Sequence, residues 1–116
     1  MTHTATARAY YRAIDDGEYD ALADLLAPEF VHERPDRTIS GRASFVSFMR
    51  ERRPRTDTEH SVDAMYAPVA GPASEAVARG RLRGSDGEDL FGFVDVFAFA
   101  SAEPDASIDR LTTYTR

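Results

Sequence analysis

The stretch Leu90-Phe91-Gly92-Phe93-Val94-Asp95-Val96-Phe97-Ala98-Phe99-Ala100 constrains the fold more than any other part of the sequence. At a period of two, Phe91, Phe93, Asp95, Phe97 and Phe99 share one face, and Leu90, Gly92, Val94, Val96 and Ala98 share the other. Both faces are apolar, so the segment is predicted to be a central strand covered on each side. Asp95 is the exception. An unpaired carboxylate in a row of phenylalanines costs on the order of several kcal/mol, so it must be protonated or partnered.

The 116 residues, 42% of them hydrophobic, suffice for one domain with a real core and not for two. No apolar run reaches membrane length, and Met1-Thr2-His3-Thr4 lacks a basic-then-apolar leader pattern, so a soluble, cytoplasmic chain that binds no membrane is expected. Cysteine is absent, which excludes disulfides, thiolate nucleophiles and thiolate metal sites. The 14 basic residues are all Arg, against 20 acidic ones. A net charge of −6 argues against general phosphate-backbone binding, and the cluster Arg50, Arg52, Arg53, Arg55 is broken by Glu51 and Pro54. No nucleic-acid partner is expected. The acidic, lysine-free composition resembles that of proteins from salt-loving archaea or a high-GC genome, where surplus acid maintains solubility in screening salt.

Taken in order, Ala7, Tyr10, Tyr11 and Ile14 recur at helical spacing from about Thr4 to Asp16, with Gly17 as a stop. A second helix follows, capped by Asp20, with Leu22, Leu25 and Leu26 on its apolar face and Pro28 at its end. Glu29 to Arg34 reads as a short strand carrying Phe30, His32 and Arg34 on one side, broken by Pro35-Asp36-Arg37. Ser40-Gly41 opens a third helix through Arg53, in which Phe45, Phe48, Met49 and Arg52 share a face, and Pro54 closes it. The rest is strand-like. Thr58 to Tyr66 alternates with His60, Val62, Ala64 and Tyr66 inward, Pro68 to Pro72 is a loop, and Glu75 to Arg83 is a strand. The turn Gly84-Ser85-Asp86-Gly87 leads into the phenylalanine-rich strand, and a last strand runs from Ser107 to about Thr115. Helices segregated from strands give an α+β fold, a curved antiparallel sheet wrapped around three helices of the N-terminal half.

A four-residue turn at Gly84 to Gly87 would set Arg83 opposite Glu88, Gly80 opposite Phe91, Ala78 opposite Phe93 and Ala76 opposite Asp95. Arg79 and Arg81 then lie on the far face from Asp95. The candidate partners of Asp95 are inward groups elsewhere: His32, His60, Arg110, Tyr114 and Arg52. The last strand has two possible phases, since Ile108 and Leu111 favour opposite ones. If Ile108, Arg110, Thr112 and Tyr114 face inward, Tyr114 lies near Phe93 and Arg110 near Phe97.

In this order the chain resembles the NTF2-like superfamily, and within it the SnoaL-like or ketosteroid-isomerase-like proteins. The resemblance is carried by Tyr10 and Tyr11, by the run from Asp20 to His32, by the run from Gly41 to Met49, and by Val94-Asp95-Val96-Phe97 and Arg110-Leu111-Thr112-Thr113-Tyr114. It implies a cone-shaped fold over the whole chain, with a pocket between the helices and the concave sheet, and homodimers through the sheet. It also implies a range of functions: isomerases, polyketide cyclases, epoxide hydrolases, dehydratases and binding modules. Ketosteroid isomerases use a carboxylate base with a tyrosine and a protonated acid as oxyanion donors, roles open to Asp95 and Tyr114. The polyketide cyclases place an acid on a late strand, where Asp95 stands. The Asp-Arg-Asp set of the epoxide hydrolases has no located counterpart.

Two readings follow. In the first, the chain is a cofactor-free isomerase, cyclase or hydratase acting on a small apolar or carbonyl-bearing molecule. Asp95 transfers the proton, His32 or His60 assists, and Tyr114 donates to a developing oxyanion. Tyr11, Phe48, Met49, Arg52, Tyr66, Phe93, Phe97 and Arg110 line the ligand site in this reading, and Glu33, Arg34 and Asp36 stand near its mouth. In the second, the chain is a non-catalytic ligand-binding or dimeric accessory domain, Asp95 is a structural acid, and the two histidines are hydrogen-bonded at the edge of the core. A metal held by His32, His60 and Asp95 requires all three at one point and is not expected. A homodimer through the sheet is expected in both, because three helices cannot cover both faces of one sheet.

Overall fold

The computed structural model describes residues 1–53, 57–70 and 74–116. Helix α1 (His3–Asp16) starts where the Thr2 hydroxyl accepts the Ala5 N–H and stops at Gly17, whose φ of 68° lies in the left-handed region. It buries Ala7, Tyr10, Tyr11 and Ile14, the predicted stripe. Helix α2 (Tyr19–Asp24) is shorter than expected, because Leu26 already opens strand β1 (Leu26–Glu33). Its cap position is Glu18, with Asp20 inside the first turn. Pro28 therefore lies within β1. The pairing of β1 with the last strand skips from Leu26 to Val31 around it, since proline has no N–H to give to a ladder.

Strand β2 (Thr38–Ser40) is too short to show a period, and it pairs with β1 so that His32 lies opposite Ile39. Helix α3 (Arg42–Glu51) buries Phe45, Val46 and Met49 and ends two residues earlier than expected. Pro54, expected to close α3, lies outside the described residues, as do Arg55 and the Gly71-Pro72 part of the expected loop. Strands β3 (Thr58–Tyr66), β4 (Glu75–Gly84), β5 (Asp89–Phe99) and β6 (Ile108–Thr115) complete one six-stranded sheet in the order β2-β1-β6-β5-β4-β3. The sheet is antiparallel except between β1 and β6, which run parallel.

The phenylalanine-rich segment is a central strand, flanked by β4 and β6. Phe93, Asp95, Phe97 and Phe99 are buried on its inner face, where Tyr10 and Tyr11 of α1 meet the Phe97 ring edge-on at 5.5 and 5.7 Å. Three bulges set which residues share that face. A turn one residue longer than expected, which sets Arg83 opposite Asp89, and one extra residue, Leu90, before the pair Leu82–Phe91 together move the β4–β5 register two places from the expected one. Ala78 rather than Ala76 then faces Asp95, and Gly80 faces Phe93. A shift of two keeps Phe91 to Phe99 on their predicted faces, whereas Leu90, expected on the far face, is turned by the bulge to line the cavity beside Phe91. In β3 the extra residue is Asp63, and it reverses the alternation: Val62 and Met65 pack on the core while Tyr66 emerges 50% exposed on the outer face. In β6 the extra residue is Asp109, so Ile108 and Leu111 are both buried although they lie three apart.

The crossing of β3 and β4 is too close for a side chain at Gly80. A Cβ there would stand 2.2 Å from the Ser61 carbonyl oxygen and 3.0 Å from the Phe93 ring. Because the obstruction is backbone, Gly80→Ala is expected to cost about 3 kcal/mol, read as a lower denaturant midpoint.

Candidate active site

Between α1, the end of α3 and the concave sheet lies a cavity of about 520 Å³. Its walls take Tyr10 and Ile14 from α1, Met49 from α3, His32 from β1, His60 from β3, Phe93 and Asp95 from β5, and Thr113 from β6. Arg34, Asp36 and Arg53 reach it from the segments that follow β1 and α3.

Asp95 is 5% exposed and is held on both oxygens. The Tyr11 hydroxyl donates to Oδ2 at 2.6 Å and the Thr113 hydroxyl donates to Oδ1 at 2.6 Å. Burial pushes the Asp95 carboxyl above the ordinary aspartate range, against the opposing pull of Thr113, Tyr11, His60 and Arg34. Burial beside that carboxyl drives Tyr11 far upward, so its hydroxyl remains a donor.

His32 is 7% exposed, and its Nε2 lies 2.9 Å from the Thr113 hydroxyl oxygen. Because Thr113 gives its own proton to Asp95, its oxygen is left to accept, which places the His32 proton on Nε2. Nδ1 is then a bare acceptor, buried without a partner among the described residues. Burial, with the nearby Arg34 charge, lowers the His32 pKa to about 3, so this ring is neutral.

His60 is fixed differently. Asp15, one turn beyond Tyr11 on α1, accepts the His60 backbone N–H at 3.0 Å on Oδ2 and holds Nδ1 at 2.6 Å on Oδ1. The ring packs against Tyr11 at 5.0 Å and Phe93 at 5.5 Å. Nε2 of His60 is left without a partner among the described residues. The arrangement thus holds a buried acid and an oriented imidazole on one cavity wall.

Of the residues named from sequence, Asp95, His32, His60, Met49 and Phe93 line the cavity and Tyr11 reaches it through Asp95. The others stand elsewhere. Tyr114 is 58% exposed on the outer face, opposite Val94. Arg110, on that same face, pairs with Glu33. Arg52 is exposed because α3 has ended before it, at a φ of −121°, so helical spacing no longer places it; Arg53 turns inward instead. Phe48 lies beneath the guanidiniums of Arg34 and Arg37, at 5.6 and 5.0 Å, and Phe97 is sealed in the core. Tyr66 is carried outward by the Asp63 bulge.

The hydrogen-bonding groups new to the site include Thr113, beside Asp95, and Asp15, behind His60. Thr113 shares the phase of Leu111, and Asp15 stands four residues after Tyr11, on the same helix face. His32, His60 and Asp95 do not converge on a metal position, and no group of three such ligands does among the described residues. No helix among the described residues is long and apolar enough to cross a membrane.

Residues 7–103 match the SnoaL-like domain. An NTF2-like protein with a cystatin-like fold from Novosphingobium aromaticivorans is 15% identical, with 95% of this chain and 77% of that one covered and a TM-score of 0.79. A provisionally assigned ketosteroid isomerase from Kribbella flavida is 23% identical, covering 97% and 76% at a TM-score of 0.72. A provisionally assigned polyketide cyclase from Sinorhizobium meliloti is 18% identical, covering 95% and 94% at a TM-score of 0.73. At these identities the likeness establishes the fold alone. Comparison with the curated proteins finds no match. With the match spanning most of its length and the same fold in these structures, the chain belongs to the SnoaL-like domain family.

Proposed function

We propose that this chain is a cofactor-independent enzyme of the isomerase, cyclase or hydratase kind, moving protons on a small, largely apolar, carbonyl-bearing molecule held in the cavity. The observation that carries the reading is Asp95, an acid with a raised pKa fixed at the wall of a 520 Å³ cavity. Each of its oxygens accepts one protein hydrogen bond and keeps a second lone pair, so the pinned carboxylate can still take a proton from carbon beside a carbonyl. His60 supplies the complementary group. Asp15 fixes its ring through Nδ1, leaving Nε2 to exchange a proton with the substrate oxygen. One proton leaves carbon for Asp95 and one returns to the substrate, so the cycle closes without a redox partner.

The test is deuterium wash-in from D2O at the carbon beside the carbonyl of aryl ketones such as tetralone, followed by NMR. Acceleration that disappears in Asp95→Asn supports the reading. The hydrogen bonds from Tyr11 and Thr113 also suit a second reading, a ligand-binding chain in which Asp95 is structural. Thermal stabilisation by ketones with no wash-in for any of them would favour that one.

The proposal extends to a homodimer through the outer sheet face in a salt-rich cytoplasm. It is supported by the apolar row Tyr66, Val77 and Val96 across β3, β4 and β5, by the exposed Tyr114 beside Val94, and by the lysine-free acidic composition. Twice the chain mass in light scattering at physiological and at molar salt is the expected result, and a monomer at both would reject it.

A further inference from the structure

We propose that the molecule bound in this cavity carries a carboxylate at one end of its apolar body, and that Arg34 and Arg53 hold this group beside the Tyr10 hydroxyl. The inference rests on the cavity being the ligand site and adds the ligand's charge to that reading.

The protein as a whole carries a charge of −6, yet two guanidiniums line this cavity. Arg53 has no ion pair among the described residues. Its one hydrogen bond there, from Nη2 to the Tyr19 hydroxyl, is long at 3.4 Å, and its Nε is buried without a partner. A half-buried guanidinium with most of its five donors unspent is a poor arrangement for stability and a good one for receiving an anion. Among the described residues Arg34 is engaged through one side-chain nitrogen, with Nε 3.3 Å from Asp36 Oδ1, which leaves its other donors available there.

Both positive charges act on Tyr10, which is buried in α1 with its hydroxyl unpartnered among the described residues. That hydroxyl and the two guanidiniums line the same cavity, which Ile14, Met49 and Phe93 furnish with apolar surface. The acids that line it with them are Asp36, which also contacts Arg37 at 3.5 Å, and Asp95, which is occupied by Tyr11 and Thr113. Asp36 disfavours a doubly charged group such as a phosphate. Two planar guanidiniums match the planar, singly charged carboxylate.

The experiment compares benzoylpropionate with its methyl ester by calorimetry, against wild type, Arg34→Gln, Arg53→Gln and the double variant. Wild type is expected to bind the acid about ten-fold more tightly than the ester, each single variant to erode that preference, and the double variant to abolish it with ester affinity kept. Raising salt on the wild-type protein should weaken the acid and spare the ester, a readout that does not depend on any variant folding. Equal affinities in wild type, or a preference that survives in the double variant or is untouched by salt, would overturn the proposal. Asp95→Asn separates it from the functional reading. An acid preference with wash-in that ignores Asp95→Asn removes the catalytic reading and leaves the anion site, whereas failure to bind either compound removes both.

Discussion

Asp95→Asn is expected to slow deuterium wash-in by about 10²–10⁴-fold, the usual contribution of a positioned general base, while leaving the protein at least as stable at pH 7. The two effects have one origin. Asn has nearly the shape of Asp and can still accept a hydroxyl hydrogen bond, so the contacts to Tyr11 and Thr113 rearrange without leaving a cavity. Burial has raised the Asp95 carboxyl above its unfolded value, so the native state binds this proton more tightly than the unfolded chain does. That contribution is fully present below the unfolded value of about 3.9 and is lost as pH rises through the folded one. As pH rises through that folded value the wild type takes on a buried charge that the variant lacks. Melting temperatures of the two proteins compared from pH 4 to pH 8 should diverge in favour of Asn as pH rises. A variant that loses both wash-in and a large part of its stability at pH 7 would assign Asp95 to structure instead.

The part of this site that was legible in the sequence is the part that depends on strict alternation. Asp95 among the phenylalanines fixed a buried acid on a central strand, and His32 on its short strand and His60, upstream of the Asp63 bulge, fell on the predicted inward face. What could not be read was where alternation fails. Asp63, Leu90 and Asp109 each add one residue to a strand, and no local composition marks a bulge that is set by packing against the neighbouring strand. The Asp109 bulge alone exchanges Tyr114 for Thr113 as the group beside Asp95. A short polar donor thereby replaces a bulky one and leaves room for a ligand. The Asp15–His60 pair was hidden for another reason. It joins a helix to a strand 45 residues away, and long-range side-chain pairing has no periodicity to betray it.

His32 should make the protein acid-labile well above the pH at which its carboxylates protonate. Its ring resists protonation until a pH of about 3 in the folded state, because it is buried and faces the Arg34 charge, whereas in the unfolded chain it takes a proton near 6.5. The unfolded state therefore binds more protons between those limits, and stability present above pH 6.5 is lost as pH falls, by about 2 kcal/mol at pH 5. Asp95 acts with the opposite sign at the acid end, so the imidazole contribution is isolated by comparison with His32→Gln. Gln keeps an N–H for the Thr113 oxygen and does not titrate. Urea unfolding from pH 7.5 to pH 4.5 should show the gap between the two proteins closing as pH falls, and parallel curves would reject the assignment. A second ring proton would sit on Nδ1, where the described residues offer no acceptor, and that unmet donor is what opposes protonation in the folded state.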